Sequence, residues 1–230
     1  MLTIIRIHNE LLGTYGDRGN ADVLAFRAHL NGVGAQVIDI SYNEPLPNSA
    51  DIYLMGGAED AAQSLSLHDL KSSGQLATAI SNGAILLAIC AGFQIIGDSF
   101  INAQGEKVSG LGLLDVSTKP GEPRCVGDIK IKSPLLDTEL TGFENHGGVT
   151  SLGAGVTAFG QVIVGRGNGD SLTDGAYSGN VFGTYLHGPV LARNPELADL
   201  LLTKATGLAS INYVDELANE YAEWRRKVTK

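Results

Sequence analysis

Cysteine is scarce in this chain: Cys90 and Cys125 are the only two among 230 residues. Two thiols make no disulfide framework of the kind that staples small secreted domains, so the reducing cytoplasm is the expected compartment. Basic residues are also few. Sixteen Lys and Arg stand against 25 Asp and Glu, a formal net charge of −9. A chain so acidic is a poor binder of nucleic acid or of an anionic membrane surface. Its apolar runs are broken by glycine and polar residues before they reach the length that crosses a bilayer, so no membrane insertion is expected. Met1 to Arg6 runs straight into a strand pattern, so no secretory leader is expected. The five histidines show no metal-ligand spacing and Cys125 has no CxxC partner, so no metal site is expected. The Walker pattern is missing too, and this chain is not expected to activate a carboxylate with ATP.

What remains is ordinary for a globular protein. Hydrophobic residues make up 43% and charged residues 18%, and the length suits one large α/β domain with a sizeable core. Strand patterns cover Leu2 to Ile7, Gln36 to Ile40 and Asp51 to Met55. The polar loop Gly13 to Asn20 precedes a helix through Leu30, with Asn20 as its expected cap. A helix is expected from about Leu67 to Ile80, followed by the apolar strand that ends at Cys90. Strands alternating with helices argue for a mostly parallel, twisted sheet flanked by helices, with ligands beyond the carboxyl ends of its strands. From about Gly105 to Gly183 the pattern changes to short strands and turns, read as an antiparallel extension of the same domain. Helices are expected over Asn194 to Ala205 and Asn212 to Val228. The last carries Val214, Leu217, Tyr221, Trp224 and Val228 on one stripe, which either packs on the core or docks a second protein.

The chemistry centres on Ala88-Ile89-Cys90-Ala91-Gly92-Phe93-Gln94. An apolar strand stops at a cysteine, small residues follow, and a helix begins: the outline of a nucleophile elbow, where the backbone crosses so closely that only small neighbours fit. A reactive cysteine needs a base. His187, at the end of the apolar segment Val181 to Leu186, is the best candidate. Either residue alone reads as structural; together, each closing a strand, they read as a catalytic pair. A thiol, a distal histidine and the Gly56-Gly57 turn are equipment for acyl transfer. Backbone N–H groups after Cys90 and in that turn would hold the oxyanion. Gly165-Arg166-Gly167-Asn168-Gly169-Asp170 superficially matches a dinucleotide loop, but it lacks the third glycine at the required spacing and reads as a hairpin turn. His146, beside Gly147 and Gly148, reads as a residue that lines the pocket or orders the backbone.

Four pieces resemble the class I, triad-type glutamine amidotransferases of the cobyric-acid-synthase-like branch. They are Gly56 to Asp60, Ala88 to Gln94, Gly142 to Gly148 and Gly183 to Gly188. The resemblance covers about residues 2 to 206 and implies a flavodoxin-like fold, with an amidotransferase domain over 1–207 and a C-terminal helix over 208–230. It implies Cys90 as nucleophile, His187 as general base, Arg124 as the holder of substrate L-glutamine and Gly57 as the oxyanion-loop glycine. The Glu that many class I members carry two residues after the histidine is replaced by Pro189, so the usual orienting carboxylate is missing, as it is throughout this branch. Asp17 is the candidate for an orienting or an interface role. Tyr15 to Asn20 and Pro123 to Gly127 narrow the likeness to separate glutaminase subunits that work in a heterodimer with a Mur-ligase-like, ATP-dependent partner. That partner would use ATP and Mg, this chain would need no cofactor, and the acceptor would be the D-glutamate α-carboxyl of the lipid II stem peptide. The alternatives are another carboxylate acceptor, cobyrinate-like, or a DJ-1-like cysteine hydrolase. In the latter a histidine commonly follows the cysteine directly, and here Ala91 does.

Overall fold

The computed structural model describes residues 1–208, 211 and 215–230. Its strands are β1 (Leu2–Ile7), β2 (Ala35–Ile40), β3 (Ile52–Met55), β4 (Ile85–Ile89), β5 (Ser99–Ile101), β6 (Lys107–Ser109), β7 (Val116–Lys132), β8 (Glu139–Leu152), β9 (Gly160–Val164), β10 (Thr173–Asp174), β11 (Ala176–Ser178) and β12 (Val181–Thr184). Its helices are α1 (Asn9–Leu12), α2 (Gly19–Leu30), α3 (Asp60–Ser73), α4 (Gln75–Ser81), α5 (Ala91–Ile96), α6 (Val190–Arg193), α7 (Pro195–Thr206) and α8 (Glu216–Val228).

The first sheet runs β11-β12-β4-β3-β1-β2. Its pairs are parallel except β11 with β12. From β2 to β12 this is the flavodoxin-like order, whose ligands sit beyond the strands' carboxyl ends. The central strands β3 and β4 are buried at every residue, as an inner parallel strand must be when layers cover both its faces. Ile4, Ile5, Tyr53, Leu86 and Phe93 belong to that core.

The segment read as an antiparallel extension forms a second sheet, ordered β10-β9-β7-β5-β6, with β8 paired to β7. It is antiparallel except where β5 meets β7. Its strands are not all short: β7 and β8 span 17 and 14 residues. The expectation failed because β7 contains Pro120, Gly121, Pro123 and Gly127, residues that ordinarily argue against a strand. The ladder absorbs them at a register shift between Pro120 and Cys125.

Other expectations shift in detail. The helix expected over Leu67 to Ile80 begins earlier, at Asp60, and breaks into α3 and α4 at Gly74, whose φ of 63° is the left-handed turn that ends a helix. Asn20 does not cap α2. The cap position is Arg18, and Asn20 Oδ1 accepts from Leu191 N at 3.0 Å, tying α2 to α6. In the last helix the expected start at Asn212, and Val214 of the stripe, lie outside the described residues. From Glu216 onward α8 turns Ala222 inward, and Arg226 grips both carboxylate oxygens of Glu196 at 2.8 Å. Leu217, Tyr221, Trp224 and Val228 stay 50–63% exposed, so the stripe faces outward and does not pack on the core.

Candidate active site

Four adjacent strands of the first sheet deliver the candidate residues to one edge. Asp17 follows β1 and α1, Gly57 follows β3, Cys90 follows β4 and His187 follows β12. Cys90 is a left-handed corner between β4 and α5, with φ 53° and ψ −107°. A non-glycine residue there carries roughly 1–3 kcal/mol of backbone strain, which the surroundings must hold in place. The hold is visible: Cys90 N donates to Thr184 O at 2.9 Å and Gly92 N to Gly56 O at 3.2 Å. A β-carbon on Gly92 would come within 2.9 Å of Met55 Cβ, so the small residue after the elbow is a packing requirement.

His187 is fixed through its backbone and its ring. Its main chain exchanges two hydrogen bonds with Phe143 of β8, at 2.9 and 3.1 Å, so the second sheet pins the residue to the first. Its Nδ1 lies 3.0 Å from Asp17 Oδ2, and both side chains are buried. Nε2 is buried with no conventional hydrogen-bond partner among the described residues. The Cys90 thiol acts on the ring without closing a bond of ordinary geometry. Burial alone would lower the imidazole pKa; Asp17 and Cys90 outweigh it and raise the value to about 10. Asp17 thus stands where the missing Glu would orient the histidine.

Gly57 follows β3 in the turn beside this pair. Its N–H donates to Asp17 Oδ2 at 3.0 Å, so the amide expected to hold an oxyanion is engaged. Its α-carbon is wedged behind the imidazole, because a β-carbon there would lie 2.8 Å from His187 Cε1 and 2.9 Å from Tyr15 Cδ2.

Cys90 opens into a pocket of about 60 Å³ whose walls include Tyr15, Glu59, Gln94, Arg124 and His146. It adjoins a cleft of about 210 Å³ that shares Asp60, Gln63, Gln94, Arg124 and Gly147. Arg124 Nε donates to Asn145 Oδ1 at 3.0 Å, and the guanidinium makes no ion pair among the described residues. A cation so placed suits a carboxylate brought by a ligand. His146 Nδ1 meets Gly148 O at 3.0 Å and its ring stacks on Tyr185 at 3.7 Å; burial lowers its pKa to about 4. It is therefore a neutral wall that orders the Gly147-Gly148 backbone.

Cys125 is set apart. It pairs with His146 across the β7–β8 ladder, is buried, and burial with Glu144 nearby raises its pKa. The glycine-rich 165–170 loop is the expected hairpin connection between β9 and β10, and the amides of Arg166 and Gly167 hold the buried Glu144 carboxylate.

Two features escaped the sequence. The Tyr15 ring lies 4.9 Å from the His187 ring, and its hydroxyl donates to Glu59 Oε1 at 2.7 Å; burial, Glu59 and Cys90 raise its pKa to about 12. Its position two residues before Asp17 was the available signal. A polar chain backs the pocket, from Gln63 to Gln94 at 2.8 Å, on to Tyr185 at 3.2 Å and to Thr150 at 2.7 Å. Gln94, one turn after the elbow, was its only trace.

A strained thiol, a buried imidazole–carboxylate pair and a guanidinium in one pocket at the edge of a doubly wound sheet are the equipment of a thiol-dependent acyl-transfer enzyme. More narrowly, the chain belongs to the CobB/CobQ-like glutamine amidotransferase domain family, matched over residues 3–195. It is 36% identical over 232 aligned positions to the lipid II isoglutaminyl synthase (glutamine-hydrolyzing) subunit GatD of Streptococcus pneumoniae, covering 96% of this chain and 89% of that one. To the subunit of the same name from Staphylococcus aureus it is 37% identical, covering 98% and 93%. A solved glutamine amidotransferase structure shares the fold with a TM-score of 0.59 at 15% identity, covering 89% of this chain and 99% of its own.

Proposed function

We propose that this glutamine amidotransferase is the glutamine-hydrolysing subunit of a two-component ligase. It passes ammonia to a Mur-ligase-like partner, which uses ATP and Mg to amidate the D-glutamate α-carboxyl of the lipid II stem peptide to D-isoglutamine. The observation that carries the reading is the buried Asp17–His187 pair beside Cys90, with Arg124 in the same pocket, in a chain that matches glutamine-hydrolysing subunits along nearly all of their length.

Arg124 takes the α-carboxylate of L-glutamine and places the side-chain amide at Cys90. With the Cys90 proton already on His187 Nε2, as its raised pKa of about 10 favours, the sulfur lone pair forms the C–S bond while the carbonyl π electrons move to oxygen. As the oxyanion collapses, the C–N bond breaks, and the nitrogen leaves as ammonia with the proton from His187. That leaves a γ-glutamyl thioester. His187, neutral again, takes a proton from water; the hydroxyl adds to the thioester, the C–S bond breaks with its electron pair on sulfur, and glutamate departs, leaving the proton on His187 as at the start. Asp17 fixes the tautomer, since a carboxylate at Nδ1 leaves Nε2 to exchange protons.

The absence of a membrane-crossing helix among the described residues fits work at the cytoplasmic face with a lipid-linked acceptor. The test mixes the chain with the Mur-ligase-like subunit, ATP, Mg, glutamine and lipid II. Amidated lipid II forms, and with Cys90→Ala it forms only when ammonium salts are supplied. Product made by this chain alone, or no rescue by ammonium, contradicts the reading.

A further inference from the structure

Resting on the reading of His187 as the base and Asp17 as its orienting carboxylate, we infer that Gly19 and Asn20 are positioning residues: they dock the Asp17 loop onto the His187 loop and so set the pair. The Asp17 carboxylate has no anchor of its own. Oδ2 serves the two groups that use it, Gly57 N at 3.0 Å and His187 Nδ1 at 3.0 Å, and Oδ1 is buried with no partner among the described residues. Its aim must come from the main chain, and there Asn20 N donates to Asp17 O at 3.0 Å.

Asn20 is buried and works in two directions. Its backbone closes the turn on Asp17, while its side-chain Oδ1 accepts from Leu191 N at 3.0 Å, just beyond His187 in the chain. An asparagine at the start of a helix ordinarily turns its side chain to the amides of that helix. Asn20 gives its oxygen instead to the first turn of α6, whose early N–H groups have no acceptor within their own helix. Between these bonds Gly19 meets Pro189: a β-carbon on Gly19 would lie 2.6 Å from Pro189 Cγ. The two segments therefore lie side by side, Asp17 against His187, Gly19 against Pro189 and Asn20 against Leu191. A methyl at position 19 or a lost oxygen at position 20 moves the carboxylate relative to the imidazole, and a displacement of about 1 Å is enough to cost much of the rate.

The test uses the full-length chain with its Mur-ligase-like partner, and glutamate release from L-glutamine gives kcat and KM. Circular dichroism checks the fold of each variant. Asn20→Ala lowers kcat on the order of 10²-fold with KM little changed. In the Asp17→Asn background the same change costs less than about threefold, because the carboxylate it positions is already gone. Gly19→Ala lowers kcat by at least about tenfold, and adding Pro189→Ala, which removes the clashing Cγ, restores most of it. That second pair carries the test if Asn20→Ala does not fold. Proton NMR reads the Asp17–His187 bond without substrate: the downfield His187 Nδ1–H signal, assigned by its shift in Asp17→Asn, moves or broadens in Asn20→Ala and in Gly19→Ala. Equal losses from Asn20→Ala in both backgrounds, a wild-type kcat in either single variant, or a Gly19→Ala loss that Pro189→Ala does not relieve overturns the inference. So does an unmoved Nδ1–H signal. If the unmodified complex releases no glutamate, the reading of Cys90 fails, and the Nδ1–H signal alone decides whether Gly19 and Asn20 set the pair.

Discussion

Asp17 carries more of this site than any other side chain, because a single buried oxygen serves both His187 and the Gly57 amide. Asp17→Asn removes the charge that keeps His187 protonated, so the imidazole pKa, raised to about 10 in the intact pair, falls as burial takes over. An NMR titration of the ring follows that fall, and kcat drops on the order of 10²–10⁴. The sign for stability follows. A histidine whose folded pKa is raised contributes fully below its ordinary value near 6.5, and the contribution is lost as pH rises through about 10. Wild-type thermal stability therefore declines across that window more steeply than that of Asp17→Asn; parallel profiles contradict the pairing. At Arg124 the expectation is a KM effect. Arg124→Ala raises KM for glutamine with kcat little changed, and Arg124→Lys recovers only part because the two-pronged donor is gone. An unchanged KM in Arg124→Ala moves the carboxylate clamp elsewhere.

At the scale of elements, the elbow works because β3, β4 and β12 crowd around it. Gly92→Ala pushes a methyl to within 2.9 Å of Met55 Cβ and costs roughly 1–3 kcal/mol, read as a lower Tm. Helix α8 gives a contrast. Leu217→Ser and Trp224→Ser sit on its exposed stripe and change stability by less than about 0.5 kcal/mol, whereas Ala222→Asp places an unpaired charge on its buried face and lowers Tm clearly. The elements easiest to read from sequence are those whose burial shows as an unbroken apolar run, β3 and β4. Strands β7 and β8 were hidden by prolines and glycines that a register shift accommodates. Cys90 and His187 could be named as candidates in advance because side chains carry their chemistry, whereas Arg124 was named only through the family resemblance. The Gly57 amide could not be placed, since nothing in the letters says which acceptor a main-chain donor meets.

The molecule as a whole is a parallel sheet that gathers functional residues from four strand ends and a second sheet that holds the histidine through Phe143. Its outward apolar stripe on α8 and its ammonia-releasing pocket suit half of a two-subunit enzyme. The proposed route takes glutamine through a thioester on Cys90. Rapid quenching of the chain with L-glutamine, followed by mass spectrometry of its peptides, measures this directly. A γ-glutamyl adduct appears on the Cys90 peptide, is discharged by hydroxylamine, which displaces the Cys90 thiol and releases γ-glutamyl hydroxamate into solution, and is lost in Cys90→Ser, while Cys125→Ser behaves as wild type. Glutamate released at an undiminished rate by Cys90→Ser, or an adduct on Cys125 in place of Cys90, would contradict the account.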